Sequence, residues 1–214
     1  MSKTGAFILS LSILIPMIAG LVRYRLIPVS YRPLLYLLFI GLLNELVCYF
    51  LFYNSSNAVP TNIYFLAEFL LFTLQFRNWR NILQNDWLYR SLMISMTSLW
   101  FIENIALQKI TIFSPLFQVT YSFILVLIAV NQLNWLIVNE KNNIITNPIF
   151  IICIAIIVFF SYKVLTEVFY YYAQSVIKNN IFVIEEYLNV AYNIMLATAI
   201  ICIPRKRDFT LPLL

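Results

Sequence analysis

Long apolar runs separated by short polar breaks set the pattern of this chain. Seven runs approach the length a helix needs to cross a hydrocarbon core of about 30 Å. Helix 1 is predicted over Ala6–Val22, helix 2 over Leu34–Tyr53 and helix 3 over Thr61–Phe76. Helix 4 follows over Ser91–Leu107, helix 5 over Pro115–Val138, helix 6 over Ile149–Tyr170 and helix 7 over Ile181–Ile203. Pro33, Pro60, Pro115 and Pro148 stand at helix starts, where a missing N–H is not needed. Pro16 falls inside helix 1 and predicts a kink there. The segment Arg77 to Arg90 reads as an amphipathic connector on the membrane surface. The pattern predicts an all-α, polytopic membrane protein: one seven-helix transmembrane domain spanning residues 1–214.

Composition agrees with lipid as the solvent. The chain is 62% hydrophobic and 11% charged, where a soluble domain carries about a quarter charged residues. The net charge of +5 does not point to nucleic acid, because the basic residues sit between apolar runs instead of forming a patch. Counted by alternate loops, one side holds Arg23, Arg25, Arg32, Arg77, Arg80, Arg90, Lys141, Arg205, Lys206 and Arg207. The other side holds Lys3, Lys109 and Lys178. The positive-inside rule then places the N-terminus outside and the C-terminus in the cytoplasm. Trp79, Trp87 and Trp135 fall near the inner boundary, where interfacial aromatics belong. The expected location is a bacterial cytoplasmic membrane, with the bilayer itself as first partner.

Several chemistries are excluded. The chain has no His, which removes the usual ligands of catalytic zinc, haem and di-iron sites and any Ser–His or Cys–His pair. Cys48, Cys153 and Cys202 lie in apolar runs with no C-x-x-C spacing and read as inert thiols. Nothing resembles a nucleotide-binding glycine loop. No metal or cofactor is expected, and a non-enzymatic role is.

The informative residues are polar groups at membrane depth. Six of the nine acidic residues fall within apolar spans: Glu45, Glu68, Glu103, Glu167, Glu185 and Glu186. A charge there costs about 2.5 kcal/mol or more, so such groups face a bundle interior. With the N-terminus outside, all six lie at mid-membrane or in the outer half. Tyr64 shares a helix face with Glu68, Gln118 and Tyr121 share one on helix 5, and Asn189 follows Glu185 on helix 7. Lys163 stands four residues before Glu167 and can pair with it along the helix. Together they read as a ligand- or ion-binding cavity reached from outside.

Helices 3 and 7 open alike, Asn62-Ile63-Tyr64 through Glu68 against Asn180-Ile181-Phe182 through Glu186. The same offset of 118 sets Glu45 opposite Lys163. This predicts a three-plus-one-plus-three parallel repeat with helix 4 between the halves. The Asn62 to Glu68 stretch, Phe76-Arg77-Asn78-Trp79, Asn147-Pro148-Ile149-Phe150 and Tyr192-Asn193-Ile194 together resemble a group of small seven-helix membrane proteins common in Bacteroidota. That resemblance implies location and topology only, since the group has no assigned activity.

Two roles stay open at this stage. One is a sensing or accessory protein that binds an unidentified small ligand or ion and signals to a membrane or cytoplasmic partner protein. The other is a transporter or channel for a small solute, a cation or protons, using the same Glu/Lys cluster.

Overall fold

The computed structural model describes residues 3–52, 56–79, 82–107, 110–139, 144–170 and 175–204; the side chains at 3, 170 and 175–182 fall outside that description. Every described element is helical, and the elements join into seven rods. The first, α1, runs from Lys3–Ser10 through a 3-10 turn at Leu11–Ile13 into Leu14–Val22. Next come α2 (Arg32–Leu51), led in by a 3-10 turn at Val29–Tyr31, and α3 (Ala58–Asn78). Helix α4 is Asp86–Phe101, widened at its end into a π turn over Ile102–Ala106. The remaining rods are α5 (Pro115–Asn139), α6 (Pro148–Tyr170) and α7 (Ser175–Cys202).

The proline expectations hold. Pro33, Pro60, Pro115 and Pro148 each lie in the first turn of a helix. The irregularity expected from Pro16 is the tightened turn just before it, where Pro16 has no N–H to offer the Ser12 carbonyl.

Two expectations about the segment after α3 are corrected. The connector is short, because α3 continues to Asn78 and α4 begins at Asp86. The Asn85 side chain accepts from the N–H groups of Trp87 (3.0 Å) and Leu88 (3.5 Å), which starts α4 five residues before its apolar run. Arg77 then closes the corner on Asp86 at 2.6 Å. Trp87 is exposed, but Trp79 is buried against Tyr31 and Phe76, with ring centroids 5.5 and 5.6 Å away. Helix α7 begins six residues earlier than expected, so Glu185 and Glu186 lie three turns into it instead of in its first turns. Tyr53, Arg80, Lys109, Lys141, Arg205, Lys206 and Arg207 lie outside the described residues, as do the side chains of Lys3, Lys178, Asn180, Ile181 and Phe182.

Among the described residues, five helices are long and apolar enough to cross a membrane: Thr4–Val22, Val29–Leu51, Ala58–Asn78, Pro115–Asn139 and Pro148–Phe169. Helices α4 and α7 are outside that set. The regular part of α4 is only 16 residues long, and α7 carries Glu185, Glu186, Asn189 and Asn193 within three turns.

Six rods form a ring in the order α1, α2, α3, α5, α6, α7, which closes where α7 packs on α1. Helix α4 leans on the outside of α3 and α5. The outer faces are apolar in heptad steps: Tyr187, Ile194 and Ile201 on α7, Leu116 and Phe123 on α5, and Val158 and Leu165 on α6 are all exposed. This is the pattern of a surface bathed in hydrocarbon. Close packing and polar bridges between the rods are both visible.

The middle of the ring supplies the packing. Phe69, Phe72, Leu125, Ile156 and Phe160 are at most 1% exposed and fill it as a dry plug. The end beyond the plug supplies bridges. The Gln75 side chain accepts from the Leu34 N–H (3.0 Å) and donates to the Ser30 carbonyl (2.6 Å), locking α2 to α3. The Arg23 guanidinium donates to the carbonyls of Ile200 (2.7 Å), Ile201 and Ile203 (2.8 Å). It thereby satisfies the C-terminal end of α7, where cations are favoured.

Candidate functional site

At the end of the ring where the chain begins, the plug gives way to a cavity of about 460 Å³. Antiparallel neighbours bring there the second halves of α2 and α6 and the first halves of α3, α5 and α7. The cavity reaches the loop end at Asn57 and Phe113, both exposed.

Nine of the eleven sequence candidates line it. Glu45 comes from α2, Tyr64 and Glu68 from α3, and Gln118 from α5. Lys163 and Glu167 come from α6, and Glu185, Glu186 and Asn189 from α7. The two exceptions are Glu103 and Tyr121.

Glu103 does not face the cavity. Its carboxylate accepts from the backbone N–H groups of Phe117 (2.7 Å) and Leu116 (3.2 Å) at the start of α5. It is a helix cap supplied by a neighbouring helix, placed at the favourable pole of the α5 dipole. The π turn explains its position: the widened helix lets consecutive Glu103 and Asn104 both turn inward, at 7% and 1% exposure. Asn104 accepts from the Ser114 hydroxyl at 2.6 Å, and Asn62 holds the same loop through the carbonyls of Ile110 and Ile112.

Tyr121 stands behind the cavity wall, fully buried, and organises its base. Its hydroxyl donates to Glu68 Oε2 at 2.8 Å and accepts from Lys163 Nζ at 2.7 Å. The Tyr64 hydroxyl donates to the other oxygen, Glu68 Oε1, at 3.0 Å. Lys163 Nζ is 3.8 Å from Glu68 Oε2 and 4.2 Å from the centroid of the Phe65 ring. A carboxylate and an ammonium, 4% and 6% exposed, are thus neutralised by each other, by two phenols and by an aromatic face. This corrects the expected pairing of Lys163 with Glu167. The nearest partner along the helix loses to one across the ring, because the interior side of α6 faces α3 and α5.

The spacing rules missed other lining groups. Ser10, Asn44 and Cys48 face the cavity; Tyr192, which follows Glu185 and Asn189 at helical spacing on α7, lines it as that spacing allows. Cys48 is therefore not an inert core thiol; it is half-buried, 3.7 Å from both Asn44 Oδ1 and Thr61 Oγ1. Cys153 is fully buried, as expected, and Cys202 is half-buried at the opposite end. Asn193 donates to Ser12 at 2.8 Å and so ties α7 to α1 at the cavity edge.

The charge balance of the wall is uneven. Five carboxylates line the cavity, and among the described residues Lys163 is the one cation that does. Carboxylates held away from water need positive charge nearby, whether protons or a cation, so the site is suited to positively charged guests. Among the described residues no three His, Cys, Asp or Glu side chains are grouped tightly enough to hold a metal ion. The chain matches no protein-family model, no curated protein and no solved structure.

Proposed function

We propose that this chain is a multi-pass protein of a bacterial cytoplasmic membrane, N-terminus outside, that binds a small solute in its carboxylate cavity. In this reading it does no chemistry of its own and passes occupancy to a membrane or cytoplasmic partner. The observation that carries the reading is the cavity: polar groups from all six ring helices meet in one space, inside a bundle whose outer faces are apolar. The orientation is supported by Arg23, Arg25, Arg32, Arg77 and Arg90, all at the end opposite the mouth.

The native cysteines give the test. Single-cysteine variants retaining Cys48, Cys153 or Cys202 are treated with a membrane-impermeant thiol reagent in right-side-out vesicles. Cys48 is expected to react from outside. Cys153 is expected to stay silent, and Cys202 to react only after permeabilisation. Labelling of Cys202 but not Cys48 in sealed vesicles would invert the topology and defeat the outward-facing reading.

One observation favours the transport alternative. The positions related by the offset of 118, Glu68 with Glu186 and Glu45 with Lys163, all line the same cavity. The packing of α3 on α5 is likewise matched by that of α7 on α1, as a three-plus-one-plus-three repeat requires. The dry plug of Phe69, Phe72 and Phe160 stands against a continuous path. Liposomes containing the protein are expected to show no flux of solute or ions above empty liposomes; saturable flux would replace the binding role with transport.

A further inference from the structure

Besides Glu68, which pairs with Lys163, four carboxylates line the cavity, and Lys163 also lies within electrostatic reach of Glu167 and Glu185. Glu185 and Glu186 are consecutive on α7, so their side chains diverge by about 100°. Glu186 turns toward α2 and lies within electrostatic reach of Glu45. Glu185 turns toward α6 and lies within electrostatic reach of Glu167. Each is an acid–acid pair across a helix boundary, and both pairs open on the same cavity.

A second feature also asks for a guest. Tyr192 is 8% exposed, lines the cavity, and its hydroxyl has no hydrogen-bond partner. Its ring is fixed by stacking on Phe159 at 4.6 Å. A buried phenol left without a partner is expensive, and such orphans are normally met by a ligand or water. The rest of the wall is apolar, with Ile13, Leu37, Leu38 and Leu196 between the polar groups.

The protein already shows how this cavity treats an ammonium. Lys163 Nζ is held by one carboxylate, one phenol oxygen and one aromatic face. Under the repeat offset, Glu68 corresponds to Glu186 and Lys163 to Glu45. The Glu68–Lys163 pair thus corresponds to the Glu186–Glu45 pair, acid with amine in the first and acid with acid in the second, so the counter-charge of the second is left for a guest.

The geometry points to an aliphatic oligoamine as the ligand. One ammonium would sit between Glu45 and Glu186 and a second between Glu167 and Glu185, the methylene chain would cross the apolar wall, and the Tyr192 hydroxyl would accept an N–H. The volume suits a molecule of this size and is ample for more than a single inorganic ion. Four carboxylates spread over α2, α6 and α7, with Lys163 alone among the described lining residues to offset them, select a guest with spaced charges over a monovalent cation, and a neutral polyol leaves them unbalanced. This inference rests on the solute-binding reading given above.

The full-length protein in detergent micelles tests it by calorimetry and thermal melting, with spermidine as probe and sorbitol and Mg²⁺ as comparisons. Spermidine is expected to bind and to raise the melting temperature. Joint Glu45→Gln and Glu186→Gln substitution is expected to weaken it at least tenfold, and Tyr192→Phe severalfold. Asp86→Asn, at the other end of the bundle, is expected to leave spermidine binding unchanged. Spermidine is also expected to slow thiol labelling of Cys48 in the unsubstituted protein, a measurement independent of whether the variants fold. Sorbitol or Mg²⁺ binding that the paired substitution abolishes, with no spermidine binding, overturns the oligoamine assignment and keeps the solute-binding role. If no probe binds or protects Cys48, both fail.

Discussion

The buried pair of Glu68 and Lys163 offers the sharpest energetic test. Their charged atoms are 3.8 Å apart, with side chains 5% and 8% exposed. Coulomb's law at that distance gives about 4 kcal/mol for an effective dielectric of about 20. Lys163→Met leaves the Glu68 carboxylate with only the Tyr64 and Tyr121 hydroxyls, and should destabilise by about 3 kcal/mol. Glu68→Gln leaves the Lys163 ammonium with the Tyr121 oxygen and the Phe65 ring, and should destabilise to a similar extent. The double variant buries no charge at this place, so its loss should be about the same as either single loss instead of their sum. The expected coupling is therefore about 3 kcal/mol. Reversible unfolding by SDS titration in mixed micelles, followed by tryptophan fluorescence, measures all four corners of the cycle. Single losses that add within about 0.5 kcal/mol would refute the reasoning, because independent sites behave that way.

Three further outcomes follow from contacts outside this pair. Glu103→Ala uncaps α5 and should lower stability by about 1 kcal/mol while leaving solute affinity unchanged, since the carboxylate faces backbone N–H groups and not the cavity; melting and binding assays on the same sample separate the two effects. Arg23→Gln removes the guanidinium from the end of α7 and should cost about 1 kcal/mol, with faster amide exchange confined to the last turn before Cys202. Gly41 lies where α1 and α3 approach α2, and a Cβ there would stand 2.7 Å from Ile13 Cδ1 and 3.4 Å from the Tyr64 hydroxyl. Gly41→Leu should therefore lose about 1–3 kcal/mol and also narrow the cavity, which a weaker solute titration would report.

Much of the fold was legible because long helices announce themselves by continuous apolar runs and proline-marked starts. The grouping of the carboxylates toward one end of the ring was legible too, once helix direction was assigned. Partner choice was not. The i, i+4 rule offered Lys163 the carboxylate of Glu167, but that rule describes neighbours on one helix and knows nothing of Tyr121 and Glu68 across the ring. Glu103 looked like its fellow carboxylates because depth alone cannot tell a cap from a cavity wall; only the π turn turns it toward α5. Trp79 looked interfacial by position, and the early start of α4 at Asp86 folded it inward. Cys48 carried no signal beyond its place on a helix, since facing inward is a matter of rotation, not of composition.

Helix α4 has a consequence for the order in which the molecule is made. Met96 is the one buried side chain in its regular part, and its buried polar attachments lie at one end: Trp100 donates to the Asn62 carbonyl at 2.8 Å, Asn104 accepts from Ser114, and Glu103 holds α5, while the other end has the exposed Arg77–Asp86 pair. A segment so short and so modestly apolar gains little from entering hydrocarbon alone. Its seat consists of groups on α3 and on the start of α5, one made before it and one after. In the membrane reading proposed above, α4 would wait at the bilayer until its successor emerges, and the two would settle as a unit against α3. A chain truncated after Leu107 should leave α4 open to glycosylation or cysteine tags that the full-length protein excludes, making its insertion a property of its neighbours more than of its own sequence.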